Sequence, residues 1–426
     1  ILKSASPLAA PSYDLRMLLQ PSAMIDEAAV DTLYRMIVNA KKLVLLVGGW
    51  CGEGIGAILQ FAALKSVPVI ATPDGKGLVN PRHPLFRGVF GFAGHTASNA
   101  ILRDTSVDLI LAIGTSMGEW TSSGWSESLL NERLVHIDES EDHLARSPMA
   151  KLHVRGRIFT IFERLIERLH ADAPMSGSAY ERRRQSRKQE GAEWDIGQVV
   201  AEPEKYVGDA VPITPQRLMY DLGRRFPPST RYLADSGNSV AWATHYLHPR
   251  DRRVSERRIG GGGRKLSPGR RQSSGGWLRV TMDFAPMGWA IGGAVGTAAG
   301  NPDVPVVCIT GDGSMLMNGQ EISVAVAERL TVIYVVLNDA ALGMVKHGQR
   351  LAGAEQIAFE LPMTDFAALG RALGAQAHVI NSPQDFEALD IDAICSRKGP
   401  TLLDVRIDAE QVPPMSLRMR ILGTAI

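Results

Sequence analysis

Asp312 and Asp339 are the residues whose setting most openly implies chemistry. Each follows an apolar run, 304–310 and 331–337, that reads as a buried β-strand. Asp312 stands in Gly311-Asp312-Gly313-Ser314, and Asp339 in Asn338-Asp339-Ala340-Ala341-Leu342-Gly343-Met344. The two lie 27 residues apart, the length of one helix plus one strand. Both turns should therefore leave the same edge of a parallel sheet, where open α/β sheets place ligands. Gly311 and Gly313 let backbone N–H groups approach a diphosphate closely, and a following helix N-terminus favours its negative charge. Two carboxylates in that anionic field call for a cation, and oxygen ligands suit Mg²⁺. A lone Gly-Asp-Gly is a common turn, whereas two such turns meeting at one sheet edge form a phosphate-and-metal cradle.

The elements that must hold these turns alternate between strand and helix. Around them the pattern predicts helices over 214–226, 288–299, 319–328 and 365–373, and strands over 231–234, 304–310, 331–337, 375–379 and 401–406. Nearer the start, a helix over 25–39 is expected to open after the capping candidate Ser22. Strands over 43–47, 67–71 and 109–113 then flank a helix over 54–64. The fold class expected is α/β, two doubly wound parallel-sheet domains with helices on both faces. The divisions expected are a remnant linker at 1–20, a first domain at 21–170, a linker at 171–205 and a second domain at 206–426. Arg182, Arg183, Arg184, Arg187 and Lys188 mark the linker as polar and exposed. An insertion near 249–278, rich in glycine, serine and arginine, cannot bury apolar surface and is expected to be a loop. Its Gly260 to Gly263 run leads into Arg264, Lys265 and Leu266, which is not a P-loop.

The stretch from Gly311 to Asp339 resembles the fingerprint of thiamine-diphosphate (ThDP) enzymes, a Gly-Asp-Gly followed after a helix and a strand by an Asn pair or near variant. The resemblance implies that Mg²⁺ is held by Asp312, Asp339 and the backbone carbonyl of Ala341. Aspartate at 339 departs from the commoner asparagine; it keeps an oxygen ligand and adds charge. Asp283-Phe284-Ala285-Pro286-Met287-Gly288-Trp289 is similar to an acetolactate synthase segment, which implies that Met287 wedges between the cofactor's rings and that Ala285 and Met287 offer backbone contacts to its pyrimidine. Asp235-Ser236-Gly237-Asn238-Ser239 resembles a segment that reaches the diphosphate, although a glycine turn after a buried strand has the same appearance. Together with Gly311, Gly313, Ser314, Leu342, Gly343 and Met344, these residues make up the expected cofactor site.

Leu46-Val47-Gly48-Gly49, Thr72 to Gly77 and Gly91 to His95 look like the same family's middle domain. Some relatives bind flavin there, but Gly49, Gly52, Gly54 and Gly56 do not spell GxGxxG, so FAD lacks support in the sequence. The family's pyrimidine-binding domain has no counterpart here, and with it goes the glutamate that activates the cofactor; no residue of this chain is assigned as catalytic. The resemblance implies a 2-keto acid decarboxylase and carboligase, pyruvate-like in substrate, that works as a homo-oligomer (dimer or tetramer) or with a separate pyrimidine-domain chain. A non-catalytic paralogue or regulatory subunit, or another ThDP lyase acting on 2-hydroxyacyl-CoA or aldehydes, stays open.

Composition narrows the field further. At 426 residues the chain exceeds one hydrophobic core. A net charge of +1 gives no general pull toward nucleic acid or anionic membrane, and no uncharged apolar stretch is long enough to span a bilayer. Cys51, Cys308 and Cys395 are too few and too scattered for a disulfide framework, which suits a cytoplasmic setting. Cys308, inside an apolar run, is expected to be a buried structural thiol. His95, His245 and His248 lack zinc-type companions and read as loop or core residues. The opening at Ile1 reads as a cut within a longer chain.

Overall fold

The computed structural model describes residues 25–172, 199, 202–249 and 276–415. The expected remnant at 1–20, with Ser22, lies outside the described residues, as do most of the 171–205 linker and most of the 249–278 insertion.

Two six-stranded sheets organise the chain, and every named strand pair is parallel. The first contains β1 (Leu43–Val47), β2 (Val69–Ala71), β3 (Phe86–Val89), β4 (Leu109–Ile113), β5 (Leu134–Asp138) and β6 (Leu152–Arg155), in the order β3-β2-β1-β4-β5-β6. The second contains β7 (Arg231–Ala234), β8 (Leu278–Arg279), β9 (Val306–Gly311), β10 (Val332–Asn338), β11 (Gln376–Ile380) and β12 (Thr401–Arg406), in the order β11-β12-β10-β9-β7-β8. These are doubly wound α/β sheets, as the alternation predicts.

The continuous apolar runs reflect burial on both faces. Along β1, Leu43, Leu45 and Val47 enter one core with the helices Glu27–Asn39, Ile55–Lys65 and Ile158–Ala171, while Val44 and Leu46 enter a second core on the opposite side. In the same way Val307 and Ile309 of β9 face one core of the second sheet, and Val306 and Cys308 face the other. Cys308 is buried among apolar neighbours there, as expected. Glycine and alanine in the helix Trp289–Gly300 let it lie close on the sheet; a Cβ added at Gly293 would stand 3.1 Å from Leu233 Cδ2.

Two local expectations need correction. The first described helix begins at Glu27, and its cap is Asp26, whose Oδ1 accepts the Ala29 amide at 3.0 Å. The helix expected over 319–328 is broken. Asp312 itself opens a helix, Asp312–Asn318, followed by a 3₁₀ turn, Gly319–Glu321, and a short helix, Ile322–Ala327. The Met315 side chain packs against the turn at Gly319, where a Cβ would lie 2.6 Å from Met315 Sδ.

The two sheets' units pack on each other through Phe92 and Ala93 from the first and Val240, Ala241 and Met282 from the second. That contact lies beside the helix Asn238–Tyr246, which begins at the candidate site.

Candidate cofactor site

Register brings the two carboxylate turns together. Leu337 of β10 pairs with Gly311 of β9, so the strands leave the sheet side by side, one into Asp312 and the other into Asp339. Asp312 is buried, and its Oδ1 accepts the Gly313 amide at 2.7 Å. Its Oδ2 accepts the Ala341 amide at 3.1 Å, which ties the two turns directly. Ala340 makes this reach with a positive φ of 53°, a strained conformation for a residue with a Cβ. The segment 359–361 braces the strained turn: the Leu342 amide donates to the Phe359 carbonyl at 2.7 Å, and the Leu361 amide to the Ala340 carbonyl at 2.9 Å.

Electrostatics single out the same pair. Burial pushes the Asp312 carboxyl above its ordinary range, against the lowering effect of the backbone amides around it. Burial, then the negative charge of Asp312, pushes Asp339 up to about 7. Two carboxylates held at raised proton affinity in a shielded place form a site that a cation would relieve. Among the described residues no group of three or more His, Cys, Asp or Glu side chains is placed to hold a metal. A third oxygen would have to come from the backbone, as the Ala341 carbonyl could.

The remaining expected residues converge on this pair to different degrees. Gly237, at a φ of 88°, turns the chain into the helix Asn238–Tyr246. A Cβ added at Gly343 would stand 2.4 Å from Asn238 Nδ2 and 3.1 Å from Asp339 Oδ2, so both side chains close on Gly343. Ser239 Oγ would lie 3.8 Å from a Cβ at Gly311. A Cβ at Gly313 would meet Leu342 Cδ2 at 2.8 Å and Met287 Cε at 3.1 Å, which sets Met287 over the Gly-Asp-Gly turn. Ser314 Oγ and Asn238 Oδ1 are buried without a hydrogen-bond partner. Unpaired polar atoms beside two crowded carboxylates fit a polar, phosphate-bearing ligand with its metal.

Other side chains point elsewhere. Met344 packs with the apolar cluster between the two units, and Asn338 Nδ2 donates to Asp404 Oδ1 at 2.8 Å and to the Thr364 carbonyl at 3.0 Å. The Ala285 carbonyl accepts the Ser236 hydroxyl at 2.6 Å, and the Met287 carbonyl accepts Asn318 Nδ2 at 3.4 Å. Phe284 beside them is 84% exposed.

Asp235 stands out from the structure and not from the sequence. Its Oδ2 accepts the Gly288 amide and the Thr310 hydroxyl, and its Oδ1 accepts the amides of Ser236 and Ala290. One buried carboxylate thus fixes the turn behind Met287. An acidic residue at the carboxyl end of a buried strand was the available signal.

The description "thiamine pyrophosphate enzyme, central domain" matches residues 30–165, and "thiamine pyrophosphate enzyme, C-terminal TPP binding domain" matches residues 269–405. The chain belongs to the thiamine pyrophosphate enzymes, of the acetolactate synthase type. It is 31% identical over 404 residues to a Mycobacterium tuberculosis protein that bears the name of an acetolactate synthase large subunit, covering 89% of this chain and 62% of that one. Against the large subunits of acetolactate synthase isozymes 1 and 2 of Escherichia coli, identity is 25% and 27%. Those matches cover 93% and 91% of this chain, and 65% and 64% of the relatives. The chain therefore spans less than two thirds of the length of these relatives.

In this thiamine pyrophosphate enzyme chain, the matched C-terminal region holds Asp312, Asp339 and Met287, and the matched central region holds the first sheet. The glycines of that first sheet are accounted for by packing of the chain on itself. A Cβ at Gly48 would stand 2.1 Å from the Gly114 carbonyl oxygen, and one at Gly49 would stand 2.5 Å from Asp74 Oδ2. Among the described residues no helix is long and apolar enough to cross a membrane.

Proposed function

We propose that this chain supplies the diphosphate-and-metal half of a ThDP site and, joined to a pyrimidine-binding domain, decarboxylates a pyruvate-like 2-keto acid and passes the remaining unit to an acceptor. The observation that carries the reading is the Asp312–Ala341 tie, which holds two buried carboxylate turns at neighbouring strand ends. Asp312, Asp339 and the Ala341 carbonyl would hold Mg²⁺, whose preference for hard oxygen donors suits this set. Gly311, Gly313, Ser314, Asn238 and Ser239 would surround the diphosphate, with the amides of Gly343 and Met344, which follow Leu342 at the start of the helix Gly343–Leu351, facing the same negative charge. Met287 would brace the bound group from above Gly313. The cofactor, when bound, supplies the carbanion chemistry that splits the bond next to the keto group.

The chain's own part is binding, orientation and charge balance. Activation of the cofactor is assigned to a glutamate of the pyrimidine domain, brought by a second copy in a dimer or tetramer or by a separate chain. Exposed Phe284, on the segment leading to Met287, is the kind of surface such a domain would cover. Three free thiols fit a reducing, cytoplasmic setting.

The test is release of CO₂ from pyruvate by this chain together with its pyrimidine domain, in ThDP and Mg²⁺, alongside calorimetric titration of ThDP. Turnover supports the enzyme. Binding with no turnover on any 2-keto acid, 2-hydroxyacyl-CoA or aldehyde adduct points to a non-catalytic paralogue or regulatory subunit. Absence of Mg²⁺-dependent ThDP binding sinks the reading.

A further inference from the structure

We propose that Lys76 is a positioning residue for the cofactor site, gripping the carboxyl end of the helix Asn238–Tyr246 from the first unit and so fixing Asn238 and Ser239 at the other end. The inference rests on the thiamine reading of that site. Lys76 is fully buried, and its Nζ donates to the carbonyls of Ala243 at 2.9 Å, Thr244 at 2.7 Å and Leu247 at 2.7 Å. Three N–H donors meeting three carbonyls describe an ammonium, since a neutral amine has only two. All three of these bonds go to backbone carbonyls. The charge is offset by the carbonyls at the negative end of the helix, of which Ala243's also accepts the Leu247 amide at 3.3 Å, in the manner of a basic C-terminal cap. Burial pulls the Lys76 pKa down, and the three acceptors oppose that pull.

Neighbouring groups make the grip specific. The Trp277 ring centroid lies 5.5 Å from Lys76 Nζ. Trp277 is clipped to the same turn, its amide donating to the Gly77 carbonyl at 2.8 Å and its Nε1 to the Val79 carbonyl at 2.9 Å. His95 of the first unit stacks on His245 of the helix with ring centroids 4.4 Å apart, and its Nε2 lies 3.0 Å from the His245 carbonyl oxygen. His245 Nδ1 in turn lies 3.0 Å from the Ala93 carbonyl oxygen.

The helix is short and stiff, so a shift at its carboxyl end is carried to its start. There the Asn238 side chain lies against Gly343, as does the Asp339 carboxylate, and Asn238 Oδ1 is buried without a partner. The first unit thereby acts on the diphosphate cradle without contributing an atom to it.

Lys76→Met removes the ammonium and keeps the length of the side chain. Three quantities are compared with the parent protein: ThDP affinity at saturating Mg²⁺, hydrogen exchange of the amides of residues 238–246 without cofactor, and the unfolding midpoint. The expected result is about tenfold weaker ThDP binding, the scale on which loss of an orienting group acts, with faster exchange along that helix. A lower midpoint with affinity unchanged would make Lys76 a stabilising residue only and overturn the proposal, as would unchanged exchange. If Lys76→Met does not fold, Lys76→Gln, with two donors for three carbonyls, is read by the same criteria. Failure of the parent protein to bind ThDP would sink the thiamine reading, while the exchange measurement would still test the grip.

Discussion

Asp235 holds Gly288: its Oδ2 accepts the Gly288 amide at 2.8 Å, across the 53 residues that separate the end of β7 from the turn carrying Met287. The same oxygen takes the Thr310 hydroxyl at 3.0 Å, so the Met287 turn is pinned to β9 at the point where Asp312 leaves it. Asp235→Ala would strand several buried donors at once. We expect it to lower stability by about 3 kcal/mol or more, since each orphaned buried donor costs roughly 1–3 kcal/mol. Asp235→Asn keeps one acceptor oxygen and should lose less. Urea unfolding of the two variants checks the order, and equal losses would count against this account.

Gly343 separates binding from folding. A Cβ there would press on Asn238 Nδ2 at 2.4 Å and Asp339 Oδ2 at 3.1 Å, both in the cradle. Alanine is otherwise the better helix former by about 1 kcal/mol. Gly343→Ala should therefore weaken Mg²⁺-dependent ThDP binding by about tenfold, the loss expected when ligand-orienting groups shift, with little change in melting temperature. A parallel drop in both would place the glycine's role in the fold alone.

Most of the scaffold was legible in the sequence because its strands are apolar throughout. The bounds of β1, β4, β7 and β12 coincide with the runs 43–47, 109–113, 231–234 and 401–406. Asp312 and Asp339 were legible as a pair because strand ends in a parallel sheet share an edge. Long-range partnerships were not legible. Nothing in the stretch Thr72 to Gly77 marks Lys76 as buried against carbonyls about 167 residues away. The positive φ of Ala340 had no sign either, since alanine is not a residue that favours it; bonds from 359–361 impose it. That the side chain of Met344 packs into the core between the two units was not legible from its place beside the diphosphate turn.

Asp339 gives the metal-free protein a pH dependence of definite sign. Its carboxyl titrates near 7 in the folded chain, above its ordinary value, so the folded state binds the proton more tightly than the unfolded state does. Stability from this group is present at low pH and is lost as pH rises through about 7. Asp312, also shifted upward, adds to the same trend. Mg²⁺ competes with that proton, so its affinity should increase over the same window. In chelator, Asp339→Asn should flatten the decline in stability between the ordinary carboxylate value of about 4 and about pH 7. With Mg²⁺ it should flatten the rise in affinity. An unchanged pH profile in Asp339→Asn would show that the carboxylates do not share a proton or a cation.

The histidines at the junction of the two units give the opposite slope. Burial lowers the pKa of His95 and His248, and brings His245 down to about 4. The folded chain therefore holds these rings neutral, while an unfolded chain takes up protons near the ordinary histidine value of about 6.5. Stability from them is complete above that value and is lost as pH falls toward 4. His245→Gln can keep an amide donor toward the Ala93 carbonyl, which His245 Nδ1 meets at 3.0 Å, and it cannot ionise. It should make unfolding less acid-sensitive between about pH 6.5 and 4, by an amount on the order of a few kcal/mol for a shift of this size. Guanidinium midpoints measured across that range, with the Asp339→Asn variant as the contrary case, separate the two effects because their slopes have opposite signs. An acid limb left intact in His245→Gln would assign acid sensitivity to groups other than His245.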